Sequence, residues 1–512
     1  MEFSMLLWLV SFLPIIALLI LISSTDLSSR LSAAISTSLA AVLALGVFKI
    51  HVGQLLISLG KGSMLGLYVI LIILGAVVLF NTVDIAGGFD SIKNFINSLG
   101  GNKSLKLLGL SWVFSSFIQG ITGFGVPVAI VGSMLVGVGY QPTVALITVL
   151  IGHSWAISFG SMGSSFYALK LVTELDASGL GVTMAFLFFL PILTTGVFAV
   201  HVYRGINAVR KQLKYIIPLT LIMGSTLVVA AYFGFPHIAT LLAGLVGSVI
   251  FLSILLYHAE QDTSLGEEKM SLKAALFPYT LLILLVLIIQ IPAVSAIIPD
   301  WEIAFSFPGF TTGLGFEVSP EINYSPIPVF EHPFSFLILS AGLGGIFYRG
   351  RGYLTNRDLK EVFTKSYHNA SSSVVTVALL MILATTMSDS GMINTFAKGM
   401  ARFSKSFFPL ISPIVGILGA FLTGSNTSSN ILFGAFQVDT AAILGYSPYL
   451  IAAAQSVGGS LGSAIAPAKV IMGTAIVGLK GSEGNIIKKC LGYTLISGVL
   501  VGITVLLVLY IS

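Results

Sequence analysis

Apolar runs of about 20 residues alternate along this chain with short polar connectors, and that is the length a helix needs to cross a hydrocarbon layer ~30 Å thick. Such runs occupy 5–22, 31–48, 63–82, 180–203, 213–233, 236–257, 271–291, 333–347, 370–387 and 491–511. Two further regions, 104–166 and 407–479, are also apolar but are interrupted by Gly, Pro, Ser, Thr and Asn. With roughly two crossings in each, the pattern predicts an all-α polytopic membrane protein of about 12–14 transmembrane helices. The first run follows Met1-Glu2 with neither a basic segment before it nor a small-residue cleavage site after it. It reads as a retained helix and not as a signal peptide.

Composition sharpens this reading. Only 9% of the 512 residues are Asp, Glu, Lys or Arg and 56% are hydrophobic, whereas soluble domains carry roughly 25% charge. So few charges cannot cover a water-soluble surface of this size, which excludes a soluble enzyme, a disordered scaffold and a nucleic-acid binder. The single cysteine, Cys490, cannot form an intrachain disulfide, and a Cys/His metal site has too few ligands. A nucleotide-binding loop of the Gly-x-x-x-x-Gly-Lys-Ser/Thr kind is absent from the sequence, which argues against primary active transport by this chain alone.

Loop charges orient part of the chain. Arg204, Arg210, Lys211 and Lys214 follow one span, Lys269 and Lys273 lie two spans later, and Arg349, Arg351, Arg357, Lys360 and Lys365 two spans after that. Segment 292–332 holds Asp300, Glu302, Glu317, Glu321 and Glu331 and no Lys or Arg. The positive-inside bias places the basic loops in the cytoplasm and the acidic segment outside.

An internal repeat organises the rest. Asp84…Gly120…Gly139-Tyr140-Gln141-Pro142…Gly152 is matched by Asp389…Gly424…Gly445-Tyr446-Ser447-Pro448…Gly458. The Asp-to-Gly intervals are 36 and 35 residues and the Pro-to-Gly intervals are ten in both. Duplication of this kind is common in secondary transporters, whose halves meet at a midplane site. The expectation is two inverted repeats, each containing a broken or re-entrant helix.

The interruptions carry the candidate chemistry. In Ser116–Ile130, Gly120, Gly123 and Gly125 fall within six residues and Pro127 follows, so a regular helix cannot continue. In the second copy, seven of the eight residues Thr423, Gly424, Ser425, Asn426, Thr427, Ser428, Ser429 and Asn430 are Ser, Thr or Asn. Hydroxyls and amides cap helices, so a half-helix is expected to start near Ser428 or Ser429. Two half-helix termini, each offering free N–H groups and a positive dipole end, would bind a carboxylate without a fully charged residue. Small residues also allow close helix packing in bilayers, but paired stretches at matching places in two repeats favour a transport site. Substrate-binding candidates are therefore Gln119, Gly120, Thr122, Gly123, Phe124, Gly125, the run Thr423 to Asn430, and Ser463.

Three ionisable residues stand out in apolar sequence. Asp439 is costly at the bilayer centre and could carry a proton, ligate sodium or pair with a base; its bland reading is an interfacial position. Lys469 is a candidate counter-charge for substrate or for Asp439, against a snorkelling alternative. His153 could relay protons or hydrogen-bond a neighbouring helix. Asp84 and Asp389, at span ends, read as caps.

The same residues resemble the L-lactate permease family of prokaryotic secondary carriers. The family's Phe-Leu-Glu-Gly-Ala-Ala-Gly-Phe-Gly-x-Pro-Val-Ala-Ile is similar to Phe117–Ile130, and its Thr-Gly-Ser-Asp-Thr-Ser-x-Asn-x-Leu-Phe to Thr423–Phe433. Further matches are Phe159-Gly160-Ser161-Met162-Gly163, the run Gly458–Pro467, and Gly88-Phe89-Asp90-Ser91-Ile92-Lys93. The resemblance extends from about residue 85 to 490. This chain departs from it with Gln119 in place of Glu, Asn426 in place of Asp, and Ser463 in place of Lys. Asp439 and Lys469 are charged where the family is usually neutral. The resemblance implies proton-coupled uptake of lactate or glycolate, and the departures imply a relocated charge network.

The expected organisation is 1–62 as N-terminal helices, 63–166 as the first transport repeat, 167–369 as connecting scaffold with external segment 292–332, 370–480 as the second repeat, and 481–512 as a C-terminal helix. The expected function is not enzymatic: a multi-pass symporter of the cell (plasma or inner) membrane carrying a small monocarboxylate of the lactate or glycolate kind with H+ or Na+. A different organic anion on the same fold, or a passive anion channel, is the alternative. No cofactor, no nucleic acid and no resident metal are expected, Na+ ligands are not identifiable, and segment 292–332 is open to a gating or homodimer role.

Overall fold

Apolar sequence between polar connectors folds as helix throughout the computed structural model, which describes residues 4–24, 27–98, 102–123, 125–257, 270–289 and 291–511. Among these, eleven helical stretches are long and apolar enough to cross a membrane, or up to twelve when a bent pair is counted as one span. Counting the bent pair reaches the lower end of the expected 12–14, and the helix at the expected span 333–347, Pro333–Gly350, is not among the eleven. The runs 180–203 and 213–233 belong to one stretch, Ala177–Tyr232, redirected at Arg204 and Gly205. The interrupted regions also hold short paired helices, such as Val126–Gly137, which are too brief to span.

The two halves present the same order of elements. The first has a 34-residue helix Val52–Ile85, an amphipathic helix Gly88–Ser98, the paired helices Lys103–Ile121 and Val126–Gly137, then Pro142–Gly152, a 3-10 turn Ser154–Ala156, and Gly160–Thr173. The second has a 34-residue helix Asn356–Asp389, an amphipathic helix Met392–Ser404, the pair Phe408–Thr423 and Asn426–Leu444, then Pro448–Gly462, a 3-10 turn Ser463–Ile465, and Pro467–Ile476. Proline opens the corresponding helices at 142 and 448, where its missing N–H is no loss.

The two long helices pack against each other along their length and run in opposite directions. A Cβ at Gly62 would lie 2.5 Å from the Ile382 Cα, and one at Gly66 would lie 3.3 Å from the Ala378 Cα. Residue numbers therefore rise on one helix as they fall on the other, and the missing side chains let the backbones approach. Each end carries an ion pair: Lys61 to Asp389 at 3.5 Å, and Lys365 to Asp84 at 2.8 Å. Asp84 and Asp389 are thus ion-pair partners between helices, a role their position at span ends did not suggest.

Segment 292–332 departs from the all-α expectation. Strands Glu302–Phe307 and Glu321–Pro328 pair antiparallel, as do Phe310–Thr311 and Glu317–Val318. Alternation in Glu302-Ile-Ala-Phe-Ser-Phe is the period-2 signal behind the first strand. This β segment sits over one end of the long helices. Gln54 Nε2 donates to the Thr311 carbonyl at 3.0 Å, Gly313 N to the Lys49 carbonyl at 2.8 Å, and Lys61 Nζ to Glu321 Oε1 at 2.7 Å. Taking the acidic segment as external, Val52 and Asp389 mark the outer ends of the long helices, and Asp84 and Lys365 the inner.

Candidate functional site

Each interrupted region makes a sharp turn that depends on glycine. Between Ile121 and Val126 the backbone passes through Gly123 (φ 68°) and Gly125 (φ 85°), and after Thr423 it passes through Gly424 (φ 76°). These left-handed conformations strain residues that carry a Cβ. Ser425 then takes an extended conformation, and its Oγ accepts from Ser428 N at 3.4 Å, so the second helix starts at Asn426. The start precedes the expected Ser428 or Ser429 because the left-handed Gly424 frees Ser425 to act as the cap.

The helices that follow are also interrupted. Ser161, Met162 and Gly163 are left-handed at φ 50°, 53° and 72°, and Ala466 is extended after the Ser463–Ile465 turn. Hydrogen bonds tie the interruptions of one half to those of the other. Asn426 Nδ2 donates to Ser158 Oγ at 3.0 Å, and Asn430 Nδ2 donates to both the Ser165 carbonyl and Ser456 Oγ at 2.9 Å. Ser165 and Thr427 share a hydroxyl pair at 2.8 Å, and Ser460 Oγ donates to the Ser154 carbonyl at 2.6 Å. The first turn packs against the same region: a Cβ at Gly123 would fall 1.6 Å from Ser161 Oγ, and one at Gly125 would fall 2.2 Å from Met472 Cε.

These pieces enclose a cavity of about 350 Å³, at the small end of ligand pockets (roughly 300–1,000 Å³). Its wall includes Gln119 from the first turn, Ser161, Ser164 and Ser165 from the interrupted helix, Thr423 to Ser428 from the second turn, and Lys469 with Met472. Ser29, Ser372, Ser373 and Thr376 add further hydroxyls, and Ile73, Ile157, Val377 and Ala468 supply its apolar part. Ser29 begins the helix Ser29–Gly46, whose far end leads to Lys49 under the external segment. With the acidic segment taken as external, the cavity lies toward the inner side.

The formal charge on its described wall is positive. Lys469 is the sole ionisable side chain among the described lining residues, and it has no ion-pair partner among the described residues. The first N–H groups of Asn426–Leu444 lie at the same wall, where the helix dipole adds positive potential. Gln119 and Asn426 are 1% and 2% exposed, and Gln119 Oε1 and Asn426 Oδ1 have no hydrogen-bond partner among the described residues. Orphaned buried acceptors are costly, and a ligand that brings an O–H would satisfy one.

Of the residues singled out in sequence, Gln119, Thr423, Gly424, Ser425, Asn426, Thr427, Ser428 and Lys469 line the cavity. Gly120, Thr122, Gly123, Gly125, Ser429, Asn430 and Ser463 lie behind it. Gly120 admits the backbone of Leu241, Thr122 Oγ1 donates to the Ile118 carbonyl at 2.9 Å, Ser429 Oγ donates to the Gly416 carbonyl at 3.0 Å, and Ser463 Oγ is buried and has no partner among the described residues. Phe124 lies outside the described residues. Asp439 is not brought to the cavity: it hydrogen-bonds Asn394, roughly 20 Å past Asn426 at 1.5 Å per residue. His153 is fully buried at the end of Pro142–Gly152, its Nδ1 2.5 Å from the Val149 carbonyl. Among the described residues no group of three or more His, Cys, Asp or Glu is placed to hold a metal ion.

Sequence reasoning missed Ser164 and Ser165, the hydroxyls of Ser372, Ser373 and Thr376, and Lys61. Ser164 and Ser165 had a signal, the Gly160-Ser-Met-Gly-Ser-Ser run. The others lie on the long helices Val52–Ile85 and Asn356–Asp389, where packing reveals which of them face the cavity.

A sequence profile described as L-lactate permease matches residues 8–512. The glycolate permease GlcA of Escherichia coli K12 is 27% identical over 98% of this chain and 96% of its own length. The L-lactate permease of the same organism is 26% identical over 98% and 96%, and that of Streptococcus iniae is 27% identical over 77% and 82%. Among solved structures, the YdaH transporter of Alcanivorax borkumensis superposes with a TM-score of 0.51 at 15% identity, covering 93% of this chain and 98% of its own. MtrF of Neisseria gonorrhoeae, an antimetabolite efflux pump, gives 0.53 at 13% identity, covering 94% and 96%. These two likenesses show a shared fold.

Proposed function

The chain belongs to the L-lactate permease family, multi-pass membrane transporters and not enzymes, and from that premise we propose that it carries a small 2-hydroxy monocarboxylate together with a proton. The observation that carries this reading is the cavity between the two interrupted regions, where one lysine ammonium and a helix N-terminus face buried amide oxygens without partners. A carboxylate answers the ammonium and the free N–H groups. A neighbouring hydroxyl can donate to Gln119 Oε1 or Asn426 Oδ1, and the small volume favours acids of the lactate and glycolate size.

Residues 63–166 and 370–480 would then form two inverted, re-entrant repeats that carry the site, with 1–62, 167–369 and 481–512 around them. The shared order of elements and the antiparallel long helices support this division. The cavity's position toward the inner side, beneath the ion pair that joins Lys61, Asp389 and Glu321, corresponds to an inward-facing stage of alternating access.

The test is transport by the purified chain in proteoliposomes. Labelled lactate or glycolate should exchange with internal unlabelled acid in counterflow, saturably, and should accumulate under an inward proton gradient. Absence of both counterflow and gradient-driven uptake for these acids, under proton and sodium gradients alike, overturns the reading. Non-saturable flux would mark a channel.

A further inference from the structure

We propose that Lys469 is the coupling group itself, binding the substrate carboxylate and the transported proton together, so that no carboxylate on the protein takes part in coupling. This rests on the cavity's being the carboxylate site.

The argument starts from what faces Lys469. The helix Pro467–Ile476 packs against Val126–Gly137 and Pro142–Gly152, which carry no ionisable side chain, and against the Ser463–Ile465 turn, which has none either. The C-terminal helix Glu483–Ile511, its remaining large neighbour, brings Glu483, Lys488, Lys489, Cys490, Tyr493 and Tyr510. Glu483 is bound to Thr474 Oγ1 at 2.8 Å and to Gly481 N at 3.0 Å, and Tyr493 to His201 at 2.9 Å. The second turn reaches the lysine's neighbour, Ala468, through Gly424 and contributes only Ser, Thr and Asn. Among the described residues, His153 also lies within electrostatic reach of Lys469. Its Nδ1 is engaged by the Val149 carbonyl and its Nε2 is buried without a partner among the described residues, and an imidazole supplies no negative charge.

An ammonium with no acid beside it has two ways to avoid crossing a low-dielectric layer as a bare charge. It can pair with an anion, or it can lose its proton. The cycle follows from using each in turn. On the outer side the protonated lysine takes up a carboxylate, and the pair crosses with no net charge. On the inner side the anion leaves, the ammonium gives its proton to cytoplasmic water, and the neutral amine returns to be protonated again. One anion and one proton move per cycle, no bond other than N–H is made or broken, and the cycle is electroneutral. Exchange needs only the loaded crossing, so it does not require deprotonation.

Lys469→Arg separates these steps, because a guanidinium keeps its positive charge but does not release a proton. In proteoliposomes this variant should keep a weakened counterflow of labelled lactate, because the wider guanidinium fits a lysine site imperfectly, while accumulation driven by a proton gradient falls by a further tenfold, roughly, or more. Lys469→Gln should lose both, and Asp439→Asn should retain both. Undiminished accumulation by Lys469→Arg overturns the proposal, as does accumulation that disappears in Asp439→Asn while counterflow remains. Loss of counterflow in a folded Lys469→Arg protein also overturns it. If that variant does not fold, the unmodified protein decides: a trapped pH indicator should report one proton per lactate, with uptake insensitive to an imposed membrane potential. Any other ratio, or sodium dependence, refutes it. Failure of the parent itself to show counterflow would instead remove the carboxylate reading on which this proposal stands.

Discussion

Alanine at Gly123 should disable the protein while alanine at Gly424 is largely tolerated, although both glycines turn corresponding segments. Both substitutions share one cost, a Cβ in left-handed backbone at φ 68° and 76°, about 1–2 kcal/mol. They differ in what the new carbon meets. At 424 the nearest atom is the Ala468 Cβ at 3.7 Å, an ordinary contact. At 123 it meets Ser161 Oγ at 1.6 Å and Ser161 Cβ at 2.9 Å. A hydroxyl can rotate away, but the Ser161 Cβ moves only with a backbone already held at φ 50° between two interrupted helices. Overpacking of that kind adds roughly 1–3 kcal/mol, bringing Gly123→Ala to about 2–5 kcal/mol against about 1–2 for Gly424→Ala. The displaced turn also carries Gln119 off the cavity wall. The assay is counterflow normalised to folded protein, together with thermal unfolding in detergent. Ser161→Gly should restore most of the difference in the double variant, since it removes both offending atoms and relaxes the strained residue. Equal damage at the two glycines, or no recovery with Ser161→Gly, would refute the reasoning.

The two ion pairs on the long helices should respond unequally. Lys61 is 2% exposed between Glu321 and Asp389, so Lys61→Met leaves acids without a cation and should cost roughly 3–5 kcal/mol in chemical denaturation. Lys365 and Asp84 are 41% and 32% exposed, and Lys365→Met should cost no more than ~1 kcal/mol; a larger loss there would show that the inner pair is not screened as its exposure implies. Gln119→Glu places an acid on the wall that holds Lys469 and should raise the KM for lactate by roughly tenfold or more, as one lost charge interaction would; an unchanged KM would remove Lys469 as counter-charge. Single cysteines introduced after Gly88 and after Gly391 should react with impermeant reagents from opposite sides, and labelling from one side would defeat the inverted arrangement.

Much of this architecture was legible because a bilayer enforces period and length. The spans, the acidic segment and the two interruptions were visible as runs of apolar, charged or small residues. Lys469 was legible as a charge in apolar sequence, and so was Asp439, yet only one of them lies on the cavity. A linear pattern records that a charge is expensive, not which face of a helix carries it. Asp84 and Asp389 looked like caps because their partners, Lys365 and Lys61, lie hundreds of residues away in sequence. The cap of the second helix was misplaced by a few residues because several consecutive hydroxyls offer the same propensity, and the conformation of Gly424 decides among them. The strands of 292–332 were missed because short alternation in a loop is weak evidence against the surrounding helical pattern.

The link between Lys61 and Glu321 spans 260 residues, and that separation bears on biosynthesis. Lys61 leaves the ribosome long before either acid that neutralises it, so the nascent chain must hold a solitary cation near the lipid boundary until the β segment is exported and Asp389 follows. The outer end of the helix pair is therefore a late assembly step, completed only after most of the protein has been inserted. Truncations ending before residue 321 should accumulate with the first long helix shifted toward water, open to quality-control proteases that the finished protein resists.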